Sequence, residues 1–189
     1  MKHLFISLFT TVLFSAVSNA QIAPQDAWSE RGDTLLSFTE TVSIDGVSKH
    51  DLFLRARDFL NANFHDLKIQ DPETGEISAN GRTDAAFDFR FLGKHTGEAT
   101  FDFVITFMVK DNAYKFTISN IRNSKINQTA SNGTFGILYN SGHSYTKQIL
   151  LSQSKLDEMY RSVKDGFTKE KDAMVAFIES DMQKQPARF

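Results

Sequence analysis

The feature that most restricts the fold of this chain is an alternation of apolar residues on both sides of one two-residue turn. Every second residue is apolar over residues 101–109, and the alternation resumes at Tyr114, beyond Asp111-Asn112. A turn at Asp111-Asn112 places three apolar pairs on one face of a hairpin. These pairs are Val109 with Tyr114, Phe107 with Phe116, and Ile105 with Ile118. Because a shift of one residue would destroy all three, the sequence predicts an antiparallel hairpin in this register.

The same two-residue period predicts strands elsewhere in the chain. Residues 35–44 alternate as a first strand, and Glu40 interrupts its apolar face. A short strand over 67–69 ends in a turn rich in Pro, Gly and Asp. Apolar residues at odd positions predict another strand over 77–91, followed by a loop that contains Gly97. The hairpin follows this loop.

Two segments carry apolar residues at the spacing of an amphipathic helix. The first begins after Ser48, a favourable N-cap residue, with Asp51 at the third helical position and an apolar stripe over 52–64. The second helix is predicted over 150–185. Its weak point is Gly166, because glycine disfavours the interior of a helix.

The predicted order of elements is strand, helix, four strands and a long helix. Short connections between the strands predict an antiparallel sheet, and a single apolar face predicts helices on one side only. The fold class is therefore α+β: a two-layer sandwich with a curved antiparallel sheet in β-α-β-β-β-β-α order. Residues 35–185 are predicted as one domain. It consists of a strand, helix and four-strand core (35–126), a Gly-rich loop (127–146) and the C-terminal helix (150–185).

The first twenty residues have the composition of a secretory signal peptide (1–20). Lys2 makes the start of the chain positive, residues 4–17 are apolar apart from Ser and Thr, and small residues precede a cleavage site between Ala20 and Gln21. The apolar stretch is shorter than the roughly twenty residues that a transmembrane helix needs. We therefore expect a mature chain that begins with a polar leader (21–34), is periplasmic or secreted, and has no transmembrane segment.

Composition and charge narrow the function classes. The absence of cysteine excludes thiol chemistry, iron–sulfur clusters and zinc–thiolate sites. The formal net charge is −2, and no basic block is present, so we expect no nucleic-acid partner. The histidines beyond the signal peptide do not have the spacing of metal ligands; they are His50, His65, His95 and His143. We predict no catalytic residue, no metal and no cofactor.

Four segments, taken in order, are similar to one known family. They are Asp45-Gly46-Val47-Ser48-Lys49, Arg55-Ala56-Arg57-Asp58-Phe59-Leu60, Thr74-Gly75-Glu76-Ile77 and Val109-Lys110-Asp111-Asn112-Ala113-Tyr114-Lys115-Phe116. Their order and spacing resemble a family of secreted bacterial domains of unknown function with a TBP-like fold. The similarity covers Leu35 to Ile121. It implies a curved antiparallel sheet with helices on one face, and it implies no established activity.

The strand parity also identifies the face of the sheet that the helices leave open. On this face the sequence predicts many hydroxyl groups, few charges and some apolar residues, among them Ile121. The candidate binding surface also includes two aromatic residues of the bordering Gly-rich loop. Its residues are Thr39, Thr41, Thr100, Asp102, Thr106, Lys115, Thr117, Ser119, Phe135 and Tyr139. The alternative interpretation is an ordinary solvent-exposed face that uses threonine for its β propensity.

Three functions are consistent with these features. The first is a non-enzymatic envelope module that binds a ligand or an envelope protein through the open face and the Gly-rich loop. The second is a structural or assembly accessory that contacts another chain through its long C-terminal helix. The third is a secreted hydrolase, which requires catalytic side chains to converge from distant segments.

Overall fold

The computed structural model describes residues 34–90, 94–127, 134–140 and 152–184. The predicted signal peptide (1–20) lies outside the described residues, as does the predicted leader (21–34) apart from Thr34. Of the predicted Gly-rich loop (127–146), only Asn127 and residues 134–140 are described.

The described residues form a sheet of six strands and two helices. In chain order the elements are β1 (Phe38–Ser43), α1 (Lys49–Asn63), β2 (His65–Asp71), β3 (Glu76–Arg90), β4 (Lys94–Lys110), β5 (Ala113–Asn127), β6 (Gly136–Ile137) and α2 (Gln153–Met182). The strand order in the sheet is β1-β5-β4-β3-β2, and β6 pairs with β5. All of these pairings are antiparallel. The α+β class with an open antiparallel sheet is thus confirmed.

The element order differs from the predicted one by one short strand. The sequence predicts no regular strand between the hairpin and the last helix, yet β6 lies within the segment predicted as a loop and pairs with Arg122 and Asn123. A strand of two residues is too short to show a periodic pattern in the sequence. Its strand conformation results from its pairing with β5. The bridge between Leu35 and Tyr139 extends the same contact.

The register predicted for the β4–β5 hairpin is confirmed. Val109 lies opposite Tyr114, Phe107 opposite Phe116, and Ile105 opposite Ile118. Asn112 in the turn has a φ of 64°, a conformation that asparagine adopts more readily than most residues. All six apolar side chains are buried on the face that the helices cover.

The parity of β5 changes at Asn120, which corrects the prediction that Ile121 lies on the open face. Asn120 has a φ of 52°, and the pairing with β4 is irregular between Asp102 and Val104. An extra residue in one strand shifts its following side chains to the opposite face. Ile121 is therefore buried.

Two glycines within the long strands make room for phenylalanine rings. A Cβ built on Gly81 would lie 2.3 Å from the ring of Phe103, directly across on β4, and a Cβ on Gly97 would lie 2.6 Å from the ring of Phe87. Gly97 thus belongs to β4 and not to a loop as predicted. At both positions the missing side chain lets a neighbouring aromatic ring cover the backbone.

Both helices pack on the apolar face of the sheet. Ser48 caps α1 as predicted: its hydroxyl accepts a hydrogen bond from the Asp51 amide at 3.1 Å. The Phe59 ring of α1 lies 6.0 Å from that of Phe107. The Phe167 ring of α2 lies 5.0 Å from that of Phe101.

The predicted weak point of the last helix is a packing contact. A Cβ on Gly166 would lie 2.7 Å from the carbonyl oxygen of Ala86, so α2 approaches the backbone of β3 more closely than any larger residue permits. The helix continues without interruption through this position. The loss in helix propensity is the cost of the close contact.

β1 is an edge strand with one hydrophilic and one mainly apolar face. Its neighbour on one side is β5, and its exposed side chains are Thr39, Thr41 and Ser43. Phe38 and Val42 are half-buried against the core. Glu40 lies between them on the same face, opposite Phe116.

Three turns meet at one end of the sheet, and we call this group the turn cluster (residues 45–49, 72–75 and 111–112). The Gly46 amide donates to Asn112 Oδ1 at 2.8 Å, and the Lys49 amide donates to Asp111 Oδ1 at 2.7 Å. The Val109 amide donates to the Gly75 carbonyl oxygen at 2.9 Å. Three of the four segments that carry the family resemblance therefore meet in space.

Tyr114 is expected to oppose stability at high pH. Its side chain is fully buried, and within the described residues its hydroxyl has no hydrogen-bond partner. Burial, together with the charges of Glu179 and Glu40, raises the pKa of Tyr114 to about 12. The ordinary value is 10.0, and the folded chain favours the un-ionised phenol. The stability that this form of Tyr114 allows is fully present below pH 10.0 and is lost as the pH rises towards 12.

Replacing Tyr114 by phenylalanine is expected to raise the free energy of unfolding by about 1–3 kcal/mol at pH 8, because an unsatisfied buried hydroxyl is removed. The gain should be larger at pH 11, and urea unfolding at both pH values measures it. The control is Tyr160→Phe, since the Tyr160 hydroxyl donates to the Tyr139 carbonyl oxygen at 2.8 Å and should be stabilising. If Tyr114→Phe destabilises as much as the control, the prediction is wrong.

Candidate functional site

The open face of the sheet carries a row of hydroxyl groups across four adjacent strands. Ser78 on β3 lies opposite Thr106 on β4, which lies opposite Thr117 on β5, which lies opposite Thr39 on β1. The Thr39 and Thr117 hydroxyl oxygens are 3.1 Å apart. Ser119 follows Thr117 on the same face. We call these five residues the hydroxyl row.

The residues predicted from strand parity divide into two groups on this face. The structure brings Thr39, Thr41, Thr106, Lys115, Thr117 and Ser119 together around the hydroxyl row. Thr100 and Asp102 lie farther along β4, where charged side chains replace hydroxyl groups. There the Thr100 hydroxyl donates to Asp84 Oδ1 at 2.6 Å, and Arg82 Nε donates to Asp102 Oδ1 at 2.6 Å.

The Asp102 carboxylate forms an ion pair with Arg82. The hydrogen bond from Arg82 is the main cause that lowers the pKa of Asp102, and burial acts in the opposite direction. Ser124 and Arg122 lower it further. A carboxylate held ionised by an exposed arginine binds protons poorly at neutral pH.

Arg82→Leu is expected to raise the pKa of Asp102 towards its ordinary value of 3.8. Because the folded chain holds this pKa below the unfolded value, the pair stabilises the fold above pH 3.8, and this contribution is lost as the pH falls through the folded pKa. The side chains are 72% and 36% exposed, so solvent screening should keep the loss of stability at pH 7 small. Carboxyl carbon NMR titration measures the pKa, and Arg122→Leu, the control, should have a smaller effect.

The structure contradicts the inclusion of Phe135 and Tyr139 in an exposed surface. Phe135 is fully buried, and its ring lies 5.2 Å from that of Tyr160 on α2. Tyr139 is 9% exposed, and its amide donates to the Tyr160 hydroxyl at 2.9 Å. Large aromatic residues in a polar, Gly-rich segment gain most by burial, and here they attach residues 134–140 to the core.

A depression of about 380 Å³ lies beside the hydroxyl row at the end of the sheet that carries the turn cluster. Its lining residues belong to β1, β4, β5 and the β2–β3 turn. The lining residues are Thr41, Thr74, Met108, Val109, Lys110, Ala113, Tyr114 and Lys115. The hairpin register already implies that Lys110 and Lys115 are neighbours of Met108. The proximity of Thr74 to these residues depends on the packing of the β2–β3 turn against the hairpin.

The described residues offer little metal-binding chemistry and no long apolar helix. No group of three or more His, Asp or Glu side chains among them is arranged to hold a metal ion. His143 lies outside the described residues. No helix in the described part of the chain is both long enough and apolar enough to cross a membrane.

Comparison with known proteins agrees with this architecture. Residues 38–124 match the family described as domain of unknown function (DUF4468) with TBP-like fold. The structure is similar to that of a DUF4468 family protein from Bacteroides ovatus, with a TM-score of 0.50 and 15% identity over 82% of this chain and 90% of that one. A TBP-like protein from Parabacteroides distasonis gives a TM-score of 0.47 and 12% identity over 80% and 95%.

No curated protein is detectably similar in sequence. At 15% identity the structure from Bacteroides ovatus informs about the fold alone. The family match extends from the start of β1 into β5 as far as residue 124, and it includes all three turns of the turn cluster and the whole hydroxyl row. Residues 38–124 of this chain are therefore similar to the DUF4468 domain, a domain of unknown function with the TBP-like fold that the sequence resembles.

Proposed function

We propose that this chain is a non-enzymatic binding module of the cell envelope that holds a ligand or a protein partner on the open face of its sheet. The hydroxyl row is the observation that carries the proposal. Its hydroxyl groups on β1, β4 and β5 are partly or fully exposed on one surface, whereas Ser78 on β3 is buried. The adjacent depression gives this surface a concave part. Sites for small molecules are usually concave and contain a few convergent polar groups.

The packing of the rest of the molecule favours this face over the other. Both helices cover the opposite face, where Phe101 and Phe107 are fully buried, and Phe135 packs against Tyr160 of α2. On the open face Thr106 and Thr117 are only partly covered. Hydroxyl side chains at the centre of a rigid sheet lose little conformational entropy when they bind.

The test is retention of a ligand or partner by the mature chain, purified gently from the cells that produce it and examined by native mass spectrometry. Wild-type protein should retain an additional mass. Thr106→Arg or Thr117→Arg should abolish retention and leave the fold intact, because each places a large cation on the central strands. The matched control is Ala173→Arg, an exposed position on α2, and it should retain the mass. Retention by both threonine variants would overturn the proposal.

The proposed location in the envelope rests on the signal-peptide composition of residues 1–20. N-terminal sequencing of the same purified protein tests it. A chain that begins at Gln21 is expected, and a chain that retains residues 1–20 would contradict export by this route.

An assembly role for α2 is the second candidate, and the exposure of Phe177 favours it. This residue of α2 is 47% exposed, although its ring lies 5.6 Å from that of Phe59. Met174, one turn earlier, is half-buried against the core. Analytical ultracentrifugation of Phe177→Glu, with Ala176→Glu as the control, tests this role. Association that the first variant abolishes and the second preserves would support it, and unchanged association would end it.

A further inference from the structure

We infer that the depression beside the hydroxyl row binds a small amphiphilic anion, with a carboxylate or phosphate group held by Lys110, Lys115 and Thr41. This inference rests on the proposed function, because it assigns a ligand class to one part of the same face. The depression, of about 380 Å³, lies within the size range of small-molecule sites.

The cationic side of the depression has no counter-ion among the described residues. Lys110 precedes the hairpin turn, and Lys115 follows it two residues beyond Ala113. Neither ammonium group forms an ion pair with a residue that the structure describes. Two cations that border one concavity create a positive potential there, and such a potential attracts anions.

Two of the nearby carboxylates accept hydrogen bonds from backbone amides of the turn cluster. Asp111 accepts the Lys49 amide at 2.7 Å, and Asp71 accepts the Glu73 amide at 2.9 Å. Glu40 lies on the helix-covered face of β1. Glu76 is on the open face but lies beyond Met108, one strand farther from Lys115.

A hydroxyl group stands beside the cations as a further donor. Thr41 lies directly opposite Lys115 on the neighbouring strand, where side chains on one face are about 5 Å apart at Cβ. Within the described residues its hydroxyl makes no hydrogen bond to another group. An ammonium and a hydroxyl at this separation can donate to two oxygens of one carboxylate or phosphate.

Met108, Val109 and Ala113 give the lining an apolar part, which favours an anion with a hydrocarbon part. Met108 is 36% exposed, one of the few large apolar side chains on the described surface that is not covered. Ala113, at the base of the hairpin, is 7% exposed and lines the same depression. Methionine is flexible and polarisable, so it adapts to apolar ligands of different shapes.

The test is an NMR titration of the full mature chain with three probes: hexanoate, hexyl phosphate and 1-hexanol. Hexanoate, hexyl phosphate or both should shift the amide resonances of Thr41, Ala113 and Lys115, and the stronger of the two identifies the acidic group. Hexanol at the same concentration should not. Equal binding of hexanol, or no shift with either anion, would overturn the inference.

The double variant Lys110→Gln, Lys115→Gln should weaken binding of the anion by about tenfold or more, because charge-assisted hydrogen bonds are lost. Lys125→Gln is the matched control on the same face, opposite Thr100, and should leave binding unchanged. Equal loss in the control would indicate attraction by the general charge of the face and would also overturn the inference.

These outcomes are distinguishable from failure of the proposed function. If Thr106→Arg loses the native ligand but neither anion binds to the wild-type chain, the proposed binding face is supported and the inferred ligand class is wrong. If both threonine variants keep the native ligand, the proposed function fails whatever the anions do.

Discussion

Phe107→Ala is expected to lower the free energy of unfolding by about 3–5 kcal/mol, the range for removal of a fully buried aromatic ring. Phe107 is 0% exposed in the middle of β4. Its ring lies 6.0 Å from those of Phe59 and Tyr114, and 5.9 Å from that of Phe116. Loss of this ring leaves a cavity between α1 and the hairpin, since a packed sheet and helix collapse only partly around a missing side chain.

Urea unfolding measured by circular dichroism gives the size of the effect, and Phe177→Ala is the matched control. The same atoms are removed there from a side chain that is 47% exposed. The control should therefore cost less than half as much as Phe107→Ala. Similar losses for the two variants would contradict the assignment of Phe107 to the centre of the core.

Gly75→Ala is expected to cost about 2–5 kcal/mol, more than any other substitution of a single turn residue in the turn cluster. Gly75 has a φ of 82°, and a Cβ there would lie 2.4 Å from the carbonyl oxygen of Val109. The positive φ alone costs an alanine roughly 1–2 kcal/mol. The clash is with backbone, which cannot rotate away, and overpacking of this kind typically adds about 1–3 kcal/mol.

Gly46→Ala separates these two contributions. Gly46 has a φ of 76°, close to that of Gly75, but no atom lies within 4 Å of the position of its Cβ. Its substitution should therefore show the cost of the backbone conformation without the clash. Thermal unfolding of the two variants side by side measures the difference. Equal destabilisation would mean that the β2–β3 turn moves aside and that its contact with β4 is weak.

The sequence predicts well those parts of the fold that repeat along the chain. The register of the β4–β5 hairpin follows from three apolar pairs, because a period of two makes any slip visible. The N-cap at Ser48 follows from local chemistry, since the cap and its partner Asp51 are three residues apart. The open face, and with it Thr106 and Thr117, follows from the same alternation.

Features that depend on contacts between distant segments could not be predicted in this way. The bulge at Asn120 reverses the parity of β5, and a polar asparagine in a strand gives no clear signal of it. Phe135 is buried because residues 134–140 pack on β5 and α2, so its neighbours in sequence do not reveal its environment. The depression joins Thr74 to Lys115 across the turn cluster, and their separation along the chain conceals their proximity.

Glu40 has a consequence for the solubility of this protein. Among the residues that the structure describes, β1 pairs with a strand on one side only. Such an edge strand invites another chain to add to the sheet, and β1 contains neither proline nor lysine to prevent this. A strand added beside β1 in register would cover the half-buried apolar side of Phe38 and Val42, and it would enclose the Glu40 carboxylate between them. Desolvation of an unpaired carboxylate is costly, so this one charge opposes edge-to-edge polymerisation. The same residue that weakens the apolar pattern of β1 thus protects the open sheet from aggregation.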